Sequence, residues 1–376
     1  MIDIVRVEPG TDEETQFIEL PRTIYEGNPH HVPWFERSMR SIIARKHPYF
    51  EHSTGEFFLA RRGQGGGEAV GRIALLEPVR FNEYHERRDA RFYFFESIDD
   101  ADVASALFDH AERWASERVL DTLPGPQGFS SFAGSGILIH GYDQTASMTM
   151  MPYHPPYYRD LVEGAGFAFL KDFHSAYLDA KRHDLSPKYR RAAEIAMKRG
   201  RFHIPEYRTK RDLRSIAEEI RTTYNEAWRE RDVFTPLTRA ELDQILEDLL
   251  LVSRPSLIRV LRSGDELAGF ILAFPDLSAA MVKSNGTLNL MSYLRLMWEK
   301  RTTRRFIING FGIRPEYRKA GGTALLFAEI TRVLKEHKVD GAEMTQIAAD
   351  NDLMMANVER LGADIYKTHR VYTKQL

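Results

Sequence analysis

The sequence predicts a mixed α/β fold that occurs twice along the chain. Two pairs of apolar, strand-like segments flank short polar turns, at residues 57–75 and 257–273, and each pair is typical of a β-hairpin. A further apolar segment, residues 306–313, leads through a glycine-containing turn into residues with apolar positions at helical spacing. Strands interspersed with helices around an internal hairpin favour a mixed sheet over a plain β–α alternation.

The two hairpins share a glutamate, a glycine and an isoleucine at the same spacing. These residues are Glu68, Gly71 and Ile73 in the first hairpin and Glu266, Gly269 and Ile271 in the second. Later matches between the halves have a larger offset, which an insertion at residues 278–304 explains. We interpret the pattern as a duplication of one α/β unit.

The second half gives the clearest order of elements. A strand and two helices precede the hairpin, and three strands alternate with two helices after it. The predicted segments outside the hairpin are residues 201–208, 212–228, 239–251, 306–313, 322–337, 341–347, 352–361 and 365–373.

These patterns divide the chain into two domains joined by a basic linker. We predict a first domain at residues 1–180, a helical linker at 181–200 and a second domain at 201–376. Residues 181–214 contain 12 Lys or Arg against 4 Asp or Glu. Such a segment is either a solvated basic helix or a groove for an anionic substrate or RNA; the lack of interleaved aromatic residues favours the helix.

Composition excludes several classes of protein. The chain has 376 residues and a formal net charge of −2, which predicts no bulk attraction to nucleic acid or to an anionic membrane. It has no cysteine, which excludes disulfides, thiolate metal sites and cysteine nucleophiles. The histidines lack a His-Glu-x-x-His spacing, so we predict no metal. We find no leader-like segment and no apolar run of roughly 20 residues, and we expect a cytoplasmic protein.

The turn after residues 306–313 has the features of an anion site. Gly321 and Gly322 let the backbone approach a ligand closely, and they precede a predicted helix. The first turn of a helix has unpaired N–H groups and the positive end of the helix dipole, which suit a phosphate or pyrophosphate. Arg318 and Lys319 add positive charge. A glycine-rich connection without a ligand is the alternative interpretation.

Residues 306–327 resemble the acyl-CoA loop of the GCN5-related N-acetyltransferase (GNAT) superfamily. The family signature Arg/Gln-x-x-Gly-x-Gly/Ala corresponds to residues 318–323, with Thr323 at the last position. The resemblance covers nearly all of residues 201–376 and is architectural over the first half. It implies two GNAT-like domains in tandem, and an N-acyltransferase that uses acetyl-CoA or another acyl-CoA.

The resemblance also implies which residues contact the cofactor. The backbone N–H groups of the strand before the loop serve the thioester carbonyl in this family, and the loop binds the pyrophosphate. The matching positions are Gly312, Ile313, Arg318, Lys319, Gly321, Gly322, Thr323 and, at the start of a later motif, Asn351.

The side chains that would move protons are less well defined. The general-acid tyrosine of the family falls on Val358, which has no proton to donate. Tyr366 and Tyr372 on the closing strand are the candidate acids, of which we choose Tyr366; packing in the core is the alternative role of each. Glu343, near the end of the strand at 341–347, is our candidate base, because partial burial would raise the pKa of its carboxyl.

The first half differs at the position of the anion loop. Residues 98–103 contain no glycine and include Asp99 and Asp100. Carboxylates at a helix start are favoured by the dipole as caps, but they repel a pyrophosphate. We therefore interpret the first half as a degenerate copy that lacks a cofactor site.

Two other functions stay open at this stage. One is a non-catalytic module that binds CoA or another small molecule, which the valine at position 358 favours. The other is a Fem-like aminoacyltransferase, since tandem GNAT-like folds also occur in that family. For the acyltransferase we expect a small-molecule or peptide amine as acceptor, no membrane partner, and no nucleic acid.

Overall fold

A computed structural model gives the predicted mixed α/β architecture. The structure describes residues 2–63, 66–130, 133–182 and 185–376, and within these ranges the side chain of Lys319 is outside the description. The elements of the first half are β1 (Ile2–Arg6), α1 (Asp12–Ile24), α2 (Glu36–Ile43), β2 (Thr54–Arg62), β3 (Glu68–Glu77), α3 (Val79–His85), β4 (Arg91–Ser97), α4 (Ala101–Ser116), β5 (Ile137–His140), α5 (Tyr157–Gly164) and β6 (Ala168–Asp179).

The second half continues the numbering. Its elements are α6 (Pro187–Lys198), α7 (Lys210–Ser215), α8 (Ala217–Trp228), α9 (Arg239–Val252), β7 (Ile258–Ser263), β8 (Glu266–Pro275), α10 (Ser278–Ser284), α11 (Leu290–Thr302), β9 (Arg305–Ile313), α12 (Gly322–Glu336), β10 (Gly341–Ala348), α13 (Asp352–Leu361) and β11 (Asp364–Thr373).

Most of the predicted elements are confirmed. Strands β2–β3 and β7–β8 are antiparallel hairpins, and the inserted segment forms α10 and α11. The predicted strand at residues 201–208 is wrong: in this described stretch only His203 makes a bridge, to Arg262. Pro205 follows two residues later and has no N–H with which to continue a ladder.

The two halves bury equivalent helix faces. Helix α12 packs Leu326, Ile330 and Val333 into the core of the second half, and α4 packs Leu107 and Phe108 into that of the first. The buried residues of α12 recur every three or four positions, and those of α4 do so from Val103 through Leu107 to Ala111, so each helix has one face on its sheet.

The sheets do not follow the division into halves. One sheet has the order β1-β2-β3-β4, and the other has the order β5-β11-β6-β10-β9-β8-β7. Strand β6 ends the first half, yet it lies between β10 and β11 and pairs antiparallel with both. Residue 180 therefore does not separate two sheets.

The last strand of the chain makes the reciprocal connection. Beyond its pairing with β6, the end of β11 reaches the first half, where Tyr372 and Gly125 exchange backbone hydrogen bonds of 2.8 and 2.9 Å. The N–H of Leu123 donates to the carbonyl of Lys374 over 2.9 Å. Each half thus contributes its final strand to the other.

The parallel strands β9 and β10 separate midway along their length. Their pairing runs from Arg305–Gly341 to Ile308–Met344 and then stops. Beyond this point β10 shifts its register against β6, and Gln346 has a φ of 56°. The carboxyl ends of the two strands therefore border an opening in the sheet, which we call the β9–β10 opening.

None of the helices among the described residues is long and apolar enough to cross a bilayer.

We predict that residues 1–180 do not fold alone, because β6 would lose both neighbouring strands. This fragment should aggregate when expressed by itself, and co-expression with residues 181–376 should yield a soluble 1:1 complex. Size-exclusion chromatography with light scattering measures both outcomes. A monomeric 1–180 fragment with a cooperative unfolding transition would contradict the prediction that the first half needs strands of the second half to fold.

Candidate active site

The glycine turn lies where the β9–β10 opening meets the start of α12. A short 3₁₀ turn, Pro315–Ala320, follows β9 and ends at Gly321, which has a φ of 91° and is the residue before α12. Only glycine adopts this left-handed conformation without strain. Among the described residues no side chain caps α12, and its first turn has no acid. The helix start therefore has N–H groups suited to an anion.

The two predicted backbone donors of β9 differ in direction. The N–H of Arg314 donates to the carbonyl of Ala268 on β8 over 3.0 Å. Because N–H groups alternate between the edges of a strand, the N–H of Gly312 also faces β8. The N–H of Ile313 faces the other edge, where β10 has separated. Ile313 is the better placed of the two to meet a carbonyl in the opening.

Arg318 is turned away from the start of α12. Its guanidinium donates to the carbonyl of Ala227 over 2.8 Å and to that of Ile313 over 3.3 Å, and it lies 3.3 Å from the carboxylate of Glu230. These contacts tie the turn to the end of α8. We predicted that Lys319 adds positive charge to the turn, and its side chain lies outside the part of the chain that the structure describes.

Helix α6 of the predicted linker packs directly on the turn. A Cβ added at Gly321 would lie 2.9 Å from the Cβ of Ala196, so the two segments meet at van der Waals distance. Ala193 and Ala196 are buried, and the hydroxyl of Tyr189 donates to Asn357 of α13 over 2.7 Å. The linker is thus part of the wall around the turn. A side chain at position 321 would be strained and would displace α6.

A polar cavity of about 370 Å³ lies beside the opening, between the halves. The indole N–H of Trp228 donates to the carbonyl of Phe311 over 3.2 Å, which holds one wall of the cavity against β9. Residues of both halves line the cavity, among them Arg91, Gln127, Lys171, Phe173, Trp228, Glu230, Arg231, Asp232, Gln346, Asp350 and Asn351.

Charged groups of both signs meet in this cavity. The ammonium of Lys171 lies 2.6 Å from the carboxylate of Asp232 and 2.9 Å from that of Asp350. Hydrogen bonds and attraction from these two carboxylates outweigh the burial of Lys171 and raise its pKa. Asn351 also lines the cavity, and its side chain accepts from the N–H of Met354 at the start of α13. The cavity therefore has carboxylates next to the β9–β10 opening.

Glu343 occupies a different environment from the one we expected. Its carboxylate is 3% exposed and lies 2.8 Å from the ammonium of Lys367, which is 1% exposed. Ser147 donates a hydrogen bond to the same carboxylate. Burial alone would raise the pKa of Glu343, but the charge and hydrogen bond of Lys367 outweigh it and lower the pKa. The predicted raised pKa is wrong, because the sequence pattern does not reveal Lys367 as its partner.

Tyr366 lies near the start of β9, before the opening. Its ring is 6.0 Å from that of Tyr177, on which the guanidinium of Arg305 stacks at 5.4 Å. Arg305 lies about 13 Å along β9 before Asn309, which is the first residue of β9 beyond the pairing with β10. Burial and the charge of Glu343 raise the pKa of Tyr366. Both features disfavour this hydroxyl as the acid for a group in the opening.

The first half contains a buried polar cluster that our sequence reasoning missed. The carboxylate of Glu96 accepts from the hydroxyls of Tyr25 and Tyr158 over 2.7 and 2.6 Å, and the guanidinium of Arg72 lies 3.4 Å from it. Burial raises the pKa of Glu96. The ring of His31 stacks on Tyr25 at 3.8 Å. Two segments of the sequence rich in proline and aromatic residues, 28–34 and 152–159, contain His31 and Tyr158, but neither reveals its distant partners.

The turn at the start of α4 supports the predicted difference between the halves. The carboxylate of Asp100 accepts from the N–H of Asp102 over 2.9 Å and so caps the helix, as predicted. A carboxylate therefore occupies the position at which the corresponding turn before α12 has a glycine. Among the described residues no cluster of side chains suits a metal ion.

Comparisons with known proteins give full-length relatives. No family model matches the chain. It is 26% identical over 379 residues to protein YghO of Escherichia coli K12, covering 99% of this chain and 95% of that protein. It is 27% identical over 377 residues to a bacterial ceramide synthase of Caulobacter vibrioides, covering 97% of this chain and 95% of that protein.

Solved structures have the same fold over the whole chain. A tandem GNAT protein from the clavulanic acid biosynthesis pathway superposes with a TM-score of 0.57 at 16% identity, covering 100% of this chain and 98% of that one. A GCN5-related N-acetyltransferase from Sphaerobacter thermophilus superposes with a TM-score of 0.52 at 13% identity, covering 100% of this chain and 95% of that one. The predicted tandem GNAT fold is confirmed.

We predict that Lys367→Met destabilises the protein by about 3–5 kcal/mol, because it leaves the Glu343 carboxylate buried without its cation. The double substitution Glu343→Gln/Lys367→Met should recover much of this loss, since it removes both charges. Denaturant unfolding followed by circular dichroism measures the free energy of unfolding.

Arg88→Met is the matched control for this prediction, because Arg88 pairs with Asp121 at the surface. Its expected cost is much smaller, because solvent screens an ion pair at the surface. An equally small cost for Lys367→Met would mean that the buried pair contributes little to stability.

Proposed function

We propose that the protein is an N-acyltransferase that moves a fatty acyl chain from acyl-CoA to the primary amine of a sphingoid-type, long-chain base. The observation that carries the proposal is the β9–β10 opening, which leads to an uncapped, glycine-preceded helix start. The acyl donor is proposed from the tandem GNAT fold. The acceptor is proposed from the ceramide synthase relative, which matches almost the whole chain.

The donor would bind along the opening. The N–H groups at the start of α12, including those of Gly322 and Thr323, would receive the pyrophosphate. The N–H of Ile313 would donate to the thioester carbonyl as negative charge develops on its oxygen. Because Gly321 has no side chain, the pyrophosphate could approach the backbone of the turn closely, and α6 limits this approach from one side. In this proposal Arg318 holds the turn in place, and the assignment of Asn351 to the cofactor arm remains a prediction.

The acceptor would enter from the cavity between the halves. An ammonium group in the cavity would meet the carboxylates of Asp232 and Asp350 in competition with Lys171, which already pairs with both. It must lose a proton before it attacks. We assign this proton to Asp350, which follows β10 and lines the cavity. The neutral amine then forms the C–N bond as the C–S bond breaks. The CoA thiolate leaves and takes up the second amine proton, which gives the neutral amide and the CoA thiol. Glu343, which is buried with Lys367 and Ser147, exchanges no proton in this scheme, and neither does Tyr366.

A non-catalytic acyl-CoA-binding protein is the second candidate. The buried Val358 favours it, because it occupies the position of the general acid in the resemblance and has no acidic proton. The two candidates differ in whether bound thioester is consumed.

We predict that the purified protein releases free CoA from palmitoyl-CoA when sphinganine is present. A thiol reagent follows the release without background from the protein, because the chain has no cysteine. Mass spectrometry of the lipid product identifies the amide. Saturable binding of palmitoyl-CoA without consumption across sphinganine and shorter amines would favour the binding protein.

We further predict that Thr323→Glu lowers the affinity for acyl-CoA at least about tenfold, or ~1.4 kcal/mol. A carboxylate in the first turn of α12 opposes the pyrophosphate, yet it favours the helix through the dipole, so folding should be kept. Thr323→Gln is the matched control, because it has the same shape without the charge. Equal affinities of the two variants in calorimetric titration would exclude this turn as the pyrophosphate site.

A further inference from the structure

Helix α11 exposes an apolar stripe to solvent. Leu290, Leu294 and Trp298 are 76, 52 and 70% exposed. Residues four apart lie above one another on a helix, so these three side chains form one continuous row. The inner side of the same helix, with Ser292 and Leu296, is buried. The exposed row is thus a second apolar face on a helix that already has one in the core.

Neighbouring side chains widen this row into a patch. Leu288 and Met291 are exposed beside it, and so is Leu251 at the end of α9. The ammonium of Lys300 donates to the carbonyl of Leu251 over 2.8 Å, which fixes the end of α9 against α11. Single exposed apolar residues are ordinary, but a contiguous group of this kind marks an interaction surface. We call residues 278–302 together with Leu251 the docking hairpin.

The charge around the patch is positive, in contrast to the whole chain. Residues 278–302 contain four basic residues and a single acid, whereas the chain has a net charge of −2. The basic residues are Lys283, Arg295, Lys300 and Arg301. The acid, Glu299, is half-buried, and burial followed by the charge of Asp276 raises its pKa. The average over the chain conceals this local asymmetry.

Further positive charge gathers at the end of the helix. Arg254 donates to the backbone carbonyl of Lys300. Burial, and then the charges of Lys210 and Arg254, lower the pKa of Lys300, so the three cations lie near one another. An anionic surface would relieve this repulsion, which an uncharged protein surface would not.

We propose that the docking hairpin lies on an anionic lipid bilayer, with the row of Leu290, Leu294 and Trp298 inserted among the lipids. Helices that bind in the plane of a membrane combine an apolar face containing Trp and Leu with flanking Lys or Arg. Helix α11 has 13 residues and is about 20 Å long, which suits a helix lying in the interface. Trp298 and Tyr293 supply rings that are favoured at the level of the lipid headgroups.

The inner face of the hairpin connects this surface to the candidate active site. Met281 and Leu296 belong to the same apolar cluster as Ile307 of β9, and Met150 packs against that cluster. The amide of Asn309, the first residue of the β9–β10 opening, lies 2.9 Å from the sulfur of Met150. If the acceptor is the long-chain amine of the proposed function, membrane contact here would bring it to the opening; the docking itself does not depend on that reaction.

Flotation of the full chain with vesicles tests the proposal. We expect binding to vesicles of phosphatidylcholine with about 30% phosphatidylglycerol, weaker binding to pure phosphatidylcholine, and a decrease with salt. Leu294→Glu/Trp298→Glu should reduce the bound fraction at least about tenfold. Arg295→Gln/Arg301→Gln should remove most of the preference for anionic lipid.

Val119→Glu is the control, because Val119 is 66% exposed on the first half and the substitution adds one surface carboxylate, as each of the two substitutions in α11 does. It should leave vesicle binding unchanged, and the melting temperatures of all variants should agree. Failure of the unaltered protein to bind anionic vesicles would overturn the proposal. Vesicle binding by Leu294→Glu/Trp298→Glu at the level of the unaltered protein would also overturn it. If the only effect of this double variant is to convert an oligomer to a monomer in solution, the patch is a protein contact and the proposal is likewise overturned. None of these readouts requires acyl transfer, so they are independent of the proposed reaction.

Discussion

The placement of β6 is the constraint on which the rest of the structure depends. This strand completes the sheet of the second half by pairing with β10 and β11, although it belongs to the first half of the sequence. Around it, Glu343 of β10 pairs with Lys367 of β11, and Ser147 of the first half closes over both. A buried ion pair needs such an enclosure, since its charges are stable only with their partners in place. The two halves are therefore joined by backbone ladders and by side chains.

The same strand determines the shape of the candidate active site. Because β10 shifts its register against β6 after Met344, it leaves β9, and the backbone edge of β9 becomes free to meet a ligand. The glycine turn at Gly321 then directs the start of α12 toward this edge. The cavity beside it has walls from both halves, with Lys171 of β6 held between Asp232 and Asp350 of the second half. The second half supplies the glycine turn, and both halves line the cavity.

Local patterns in the sequence were enough to predict the hairpins, the position of the insertion, the cap at Asp100 and the glycine turn, because each depends on residues close together in the chain. Contacts between distant residues were beyond the same reasoning. The partner of Glu343 is Lys367, and the partners of Glu96 include Tyr25 and Tyr158; no spacing rule connects them. The packing of α6 on Gly321 also escaped prediction, because a basic segment with small residues was interpreted as a solvated linker. Similarly, the net charge of the chain concealed the basic surroundings of α11.

The exchange of final strands also bears on how the chain is made. During synthesis β6 leaves the ribosome long before β10 and β11, which are the last two strands of the protein. At typical elongation rates of about 5–20 residues per second, the first half waits roughly 10–40 seconds for its neighbours. For that time β6 has two unpaired edges, which are prone to pair with other chains. The protein should therefore depend on cellular chaperones during translation more than a chain of equal length whose halves close independently.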